Sequence, residues 1–337
     1  MRKLFDLARR LIDIESISGN ERRIGDYLRE HLTPLAARHG GAVELWEVEP
    51  DRFNVFACWG RPLVTLSTHQ DTVPPFIPSR EDDEFIWGRG ACDVKGLLAA
   101  MLVAAEELLE EGVRDFALLF VVGEERNSAG AFQAARSSRG SRYLINGEPT
   151  ENKLALGSKG ALRYELYAEG RMAHSAYPEL GESAIEKLLD VLEALRRAKL
   201  PHDELLGPGT LNIGTIAGGR APNIIPDFAK AEVMIRLVGD AEPVRELLRR
   251  AAAGRVRVEE VLAVPAVRLG ALDGFETTVV AYTTDIPAFG GAWGKPFLIG
   301  PGSIHLAHTA EERVPKRELV EAVGIYKTMV KRLLSQT

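Results

Sequence analysis

The chain has 337 residues, 45% hydrophobic and 27% charged, with a formal net charge of −6: an ordinary globular composition, long enough for two domains or for one domain with a large insertion. The negative balance leaves no electrostatic footprint for nucleic acid, and no apolar run approaches the length of a bilayer span. Cys58 and Cys92 are too few for a disulfide framework and "MRKLFDLARR" lacks the apolar core of a signal peptide, so a reducing, cytoplasmic location is expected.

Leu4, Leu7, Ala8, Leu11 and Ile12 recur at helical spacing, which predicts a helix over 2–14. "SGNE" at 18–21 fits a capping box, with Ser18 as cap and Glu21 three residues on, opening a second helix to about Leu32. "AVELWEV", "NVFACW" and "PLVTLST" read as strands. Apolar residues at 94, 97, 98, 101, 102, 105, 108 and 109 mark a helix from Val94 to Glu111, closed by Gly112. "FALLFVV" (116–122) and "RYLI" (142–145) read as buried strands with a helix near 129–136 between them. Strand alternating with helix implies an α/β domain: a mostly parallel sheet covered by helices on both faces.

Near residue 160 the pattern changes. "ALRYELYAEG", the helix "ESAIEKLLDVLEALRRA", the strands "GTLNIGTIAGG" and "FAKAEVMIRLV", the helix "AEPVRELLRRAA" and the strand "RVRVEEVL" follow in that order. This β-α-β-β-α-β succession is the split arrangement of a ferredoxin-like α+β domain. "KPFLIGPG" is then a short buried strand, and an amphipathic helix over about 316–334 closes the chain. The simplest account is one α/β domain, 1–160 and 263–337, interrupted by a smaller α+β domain, 161–262.

The strand ends share a character. "VTLST" ends at His69 and Asp71, "FALLFVV" at Gly123, Glu124 and Glu125, "RYLIN" at Gly147 and Glu148, and "PFLIGPG" runs into "SIHLAHTAEE" with His305 and His308. "GRGACDVKG" sets Asp93 at the start of the long helix, where the dipole favours its charged form. In open α/β sheets ligands bind at the carboxyl ends of the strands. Each residue alone also has a bland reading, as a core histidine, a solvated turn or a helix cap. Together they gather histidines and several carboxylates with no lysine or arginine among them, and like charges so close need a positive group in their midst. A mixed imidazole and carboxylate set suits zinc, with cobalt or manganese also possible.

"STHQDTVPP", "GRGACDVKG", "VVGEERNSAGA", "NGEPT" and "GPGSIHLAHTAEERV" stand in the order and context of the M20 metallopeptidase family, and the chain resembles that family over nearly its whole length. The family includes acetylornithine deacetylase, succinyl-diaminopimelate desuccinylase, aminoacylase and carboxypeptidase G relatives. The resemblance implies two zinc ions per subunit, one ligated by His69 and the other by His308, with Asp93 bridging and Glu125 and Glu148 each ligating one. Asp71, two residues along the strand from His69, would orient its ring. Glu124 would be the general base, taking a proton from metal-activated water and passing it to the leaving amine. The family's "aHt..E" pattern matches His308, which leaves His305 as a substrate-side or surface residue.

"MAHSAYPELGESAI" and "GGRAPNIIPDFA" carry the resemblance into the insert, which would act as a lid and dimerisation domain. His174 is similar to the family histidine that reaches a neighbouring subunit's site and stabilises the oxyanion, so a homodimer through the insert is expected. Asn223 and Arg236 match substrate-holding positions, with Arg236 suited to a bidentate grip on an α-carboxylate. The "GEPT" form at Glu148 resembles the acetylornithine deacetylase and desuccinylase side. The short chain and "SGNE" opening also resemble hydrolases of lysine or ornithine linked to a small carrier protein. The implied activity is therefore amide hydrolysis of an N-acyl or carrier-linked amino acid with a free carboxylate. A dipeptidase or carboxypeptidase of the same family, or a non-catalytic metal-binding relative, is the alternative.

Overall fold

The computed structural model describes residues 1–336. In chain order the elements are α1 (Arg2–Ile12), α2 (Arg22–His39), β1 (Ala42–Glu49), β2 (Arg52–Trp59), β3 (Val64–His69), β4 (Phe85–Trp87), α3 (Lys95–Glu110), β5 (Phe116–Val121), α4 (Ala129–Ala134), β6 (Tyr143–Asn146) and β7 (Leu154–Ser158). They continue with β8 (Gly160–Glu169), α5 (Ala184–Arg197), β9 (Thr210–Gly218), β10 (Phe228–Leu237), α6 (Glu242–Ala252), β11 (Arg257–Val264), β12 (Lys295–Leu298), β13 (Arg313–Pro315) and α7 (Lys316–Leu334). The chain divides into two compact units. The first comprises Met1–Leu156, Leu269–Thr278 and the chain from Thr284 onward; the second comprises Gly157–Arg268 and Val279–Thr283.

The first unit is built on a mixed sheet of order β1-β2-β5-β3-β6-β12-β7. Its centre is parallel, β5 with β3, β3 with β6 and β6 with β12, while β1 and β2 add antiparallel strands on one side. β3 and β5 are buried along their whole length, which is why β5 reads as a continuous apolar run, whereas β3 buries Thr65, Ser67, Thr68 and His69 between its apolar residues. Leu118 and Phe120 face the cluster formed with α1, α3 and α7; Ala117, Leu119 and Val121 face Phe289 and Trp293. Truncating such a fully buried leucine to alanine costs about 2–5 kcal/mol.

Two local expectations fail here. α2 does not stop near Leu32 but runs through Pro34 to His39, ending at Gly40 in the left-handed conformation (φ 68°). Leu35 and Ala36 are buried in that last stretch, which outweighs the amide lost at proline. The capping box does not form either. Glu21 is buried in a bidentate pair with Arg52 (2.7 and 2.6 Å), and the Ser18 hydroxyl donates to Asp71 (2.6 Å). Both groups met long-range partners that a local motif cannot reveal.

The second unit is an antiparallel sheet of order β9-β10-β8-β11, with apolar residues of α5 and α6 packed on one face against Leu162, Tyr164, Leu166, Val233 and Ile235. Order and connectivity are those of a ferredoxin-like fold, as read from the sequence. Among the described residues no helix is long and apolar enough to cross a membrane.

Candidate metal centre and active site

Sheet register explains why residues from distant segments converge. Ser67 on β3 pairs with Asn146 on β6, so two residues further on His69 and Glu148 leave the sheet side by side. On the other flank His69 pairs with Val121, the last residue of β5. After Val122 the chain turns at Gly123, whose φ of +78° and neighbours Arg52 Nη2 and Asn127 Oδ1, 3.0 Å from any added Cβ, disfavour a side chain. That turn presents Glu124 and Glu125 to the same strand ends.

Asp93 is the shared centre. Its Oδ1 lies 3.1 Å from His69 Nε2, and its Oδ2 lies 3.2 Å from His308 Nε2. His308 Nε2 is also 3.0 Å from Glu125 Oε1, and the His308 backbone sits at φ +64°. Two groups result in which ligand atoms all approach within 4.8 Å: His69, Asp93 and Glu148, and Asp93, Glu125 and His308. The first is buried, whereas the second opens outward at the His308 side chain, 49% exposed. Glu124 belongs to neither. His305 is exposed and outside both groups.

Asp71 organises this arrangement. Its carboxylate accepts the amides of Glu124 (3.1 Å) and Glu125 (3.3 Å), while His69 Nδ1 lies 3.0 Å from its carbonyl and 3.4 Å from Oδ1. Nδ1–H donation to these oxygens makes Nε2, which faces Asp93, the nitrogen whose lone pair the neutral ring would offer to a cation.

The electrostatics fit a cation. Burial opposes charge on the His69 ring, but its bonds to Asp71 and Asp93 prevail and hold its pKa well above the usual histidine range. Asp93 and Glu125 raise His308 to about 10. Burial drives Glu148 and Glu124 well above ordinary carboxylates, the charge of Glu148 adding to the effect on Glu124. Burial likewise raises Glu125, while bonds to His308 and His69 outweigh burial and lower Asp93. Protons on the imidazoles thus serve as countercharge that a divalent cation would replace. Oε1 of Glu148, buried with no protein partner among the described residues, is a further donor available to such an ion.

Basic residues do lie close by, contrary to the reading of the strand ends, but other groups occupy them. Buried Arg89 pairs with Glu312, and Lys95 Nζ donates to the Ile14 carbonyl. Burial lowers Lys95 to about 7. The Arg89–Glu312 pair was not legible, because its two members lie 223 residues apart. Asp285, buried and pushed up to about 7 by burial, also gave no signal in its loop.

The remaining expected residues lie in the second unit. Segments around 171–182 and 220–227 pair there, with Ser175 N–H donating to the Asn223 carbonyl (3.0 Å), and so bring His174 and Asn223 together. His174 is exposed, and its Nδ1 accepts the Ala176 amide (3.1 Å), which puts the ring proton of the neutral form on Nε2. Arg236 on β10 is half-buried and, among the described residues, has no carboxylate partner.

A family model described as Peptidase family M20/M25/M40 matches residues 65–332. A peptidase M20 domain-containing protein of Schizosaccharomyces pombe is 41% identical over 97% of this chain and 84% of its own length. A protein named probable carboxypeptidase from Aspergillus terreus is 37% identical over 96% of this chain and 84% of its own. Among solved structures, the aminopeptidase PepT of Bacillus cereus superposes with a TM-score of 0.83 at 19% identity, covering 99% of this chain and 98% of that one; it shares the fold. The chain therefore belongs to peptidase family M20/M25/M40, and is a hydrolase acting on peptide or amide bonds.

Proposed function

We propose that this hydrolase is a dinuclear metallopeptidase, acting on short peptides with a free C-terminal carboxylate in the manner of a carboxypeptidase or dipeptidase. The observation that carries the chemistry is that two three-residue donor groups share Asp93 while the neighbouring carboxylate, Glu124, stands outside both. His69, Asp93 and Glu148 would hold one cation and Asp93, Glu125 and His308 the other, zinc being the best match and cobalt or manganese alternatives. When bound, the cations supply Lewis-acid polarisation of the scissile carbonyl and lower the pKa of water.

The chain's own residues supply the rest. Asp71 holds the His69 ring and the amides of both glutamates, fixing Glu124 relative to the ligands. Glu124, with a pKa raised by burial, accepts the proton of the attacking water and returns it to the leaving amine. His174, whose Nε2–H is free to donate, is the proposed oxyanion donor, supplied by a partner subunit. Arg236 and Asn223 are proposed to hold the substrate, the unpaired guanidinium taking the C-terminal carboxylate. A homodimer through the second unit belongs to this reading; the edge strand β9 is exposed along most of its length, Ile216 among its residues.

The name carried by the Aspergillus terreus relative supports peptide cleavage over the deacetylase or carrier-linked reading drawn from "GEPT". The test is hydrolysis by zinc- or cobalt-loaded protein, with and without chelator, of dipeptides, tripeptides, their C-terminal amides, N-acetyl-ornithine and carrier-linked lysine. Chelator-sensitive cleavage of free-carboxylate peptides and not of their amides is expected. Turnover confined to N-acetyl-ornithine or carrier-linked lysine would overturn the substrate assignment.

A further inference from the structure

Glu312 and Arg89 form a buried pair at the point where two ligand-bearing segments meet. Glu312 immediately precedes β13, and Arg89 lies two residues past the end of β4; the two strands pair, Arg313 opposite Trp87. Through Oε1 Glu312 accepts the amides of Gly90 (2.9 Å), Cys92 (3.3 Å) and Asp93 (3.2 Å). Through Oε2 it binds Arg89, whose guanidinium donates in turn to the carbonyls of Pro75 (3.3 Å), Thr309 (3.3 Å) and His308 (3.5 Å). Side-chain exposure is 2% for Arg89 and 1% for Glu312.

An isolated buried ion pair gives little net stability, since apolar residues of similar volume often do as well. This pair does something an apolar pair cannot: it satisfies amides of the Asp93 segment and carbonyls of the His308 segment at once. His308, moreover, sits in a loop at φ +64° and has no regular element to hold it, whereas His69 and Glu148 follow directly from paired strands. We propose that Arg89 and Glu312 are positioning residues that set the distance between Asp93 and His308, and thereby complete the second cation position, Asp93–Glu125–His308. In the first position, His69–Asp93–Glu148, two of the three ligands, His69 and Glu148, take their geometry from the sheet, and His69 also from Asp71. The proposal rests on the two-cation reading above.

It predicts an asymmetric defect. In Glu312→Gln the amide would face Arg89 donor to donor, releasing the His308 segment. In Arg89→Lys the charge stays but the fork that reaches three carbonyls is lost. Each variant should bind one manganese ion nearly as tightly as the unsubstituted protein and the second about 10–100-fold more weakly. Manganese titration of the full chain, followed by electron paramagnetic resonance, reads this directly. The unsubstituted protein should show the spectrum of an exchange-coupled pair at two equivalents. The variants should show an isolated ion, the coupled spectrum and kcat returning only with excess manganese and KM unchanged.

Folded variants that bind both ions with unsubstituted affinity, or lose both equally, would overturn the clamp while leaving the two-cation reading intact. An unsubstituted protein that never shows the coupled pair would overturn that reading, and the clamp with it. Circular dichroism and Tm establish folding, and Arg89→Lys is the milder change if Glu312→Gln does not fold.

Discussion

Asp71 and Glu124 are joined by a 3.1 Å hydrogen bond in which the Glu124 amide donates to Asp71 Oδ1, the same oxygen that lies 3.4 Å from His69 Nδ1. One carboxylate therefore fixes a proposed metal ligand and the proposed general base together. Asp71→Asn replaces an acceptor by a donor on one side of that junction. The ion held by His69, Asp93 and Glu148 should weaken by about 10–100-fold, measured by competition with a calibrated chelator. Equal weakening of the ion held by His308 would contradict this assignment.

Glu124→Gln removes the proton acceptor while keeping size and burial. kcat should fall by about 10²–10⁴-fold, the usual worth of a positioned general base. Metal content should stay at that of the unsubstituted protein, since Glu124 lies outside both donor groups. Loss of metal along with activity, read by elemental analysis, would make Glu124 a ligand instead.

Stability without metal should depend on pH with a defined sign. Glu124, Glu125, Glu148, His69 and His308 all have raised pKa values in the folded chain. A raised group stabilises the fold below its unfolded pKa and loses that contribution as pH rises through its folded value. The lowered groups, Asp71 and Asp93, act with the opposite sign, but only below about pH 4. From about pH 5 to pH 7 the chelated protein should therefore lose stability, and the gain in Tm on adding zinc should grow, because binding displaces those protons. Thermal scans across that range check it; a zinc-induced gain that shrinks with rising pH would refute it.

Arg236→Ala should cost about 1.5–3 kcal/mol of binding, the range for a charge-assisted hydrogen bond, or roughly a 10–150-fold rise in KM. The effect should appear with free-carboxylate peptides and vanish with their amides. An equal effect on both would make Arg236 a structural residue of β10.

What was legible in the chain and what was not follows from range. β3, β5 and β6 are buried strands that run into polar residues, and their parallel register brings His69, Glu125 and Glu148 to one place. The strand ends therefore stood out in the sequence as a donor cluster, while the full ligand set with Asp93 and His308 came from the family resemblance. The ferredoxin-like order was legible because each of its elements carries its own period. Ser18 and Glu21 were misread because a capping box is a local pattern, while the partners that won, Asp71 and Arg52, lie 53 and 31 residues away. Glu312 stood in the pattern that marked His308, but its pairing with Arg89 was invisible for the same reason: a buried pair spanning most of the chain leaves no periodicity behind.

The measurement that bears most directly on the account is anomalous diffraction from crystals grown with zinc. Two peaks are predicted, one among His69, Asp93 and Glu148 and one among Asp93, Glu125 and His308, with Asp93 reaching both and Glu124 touching neither. A single peak, or peaks remote from Asp93, would contradict the dinuclear centre and the mechanism built on it.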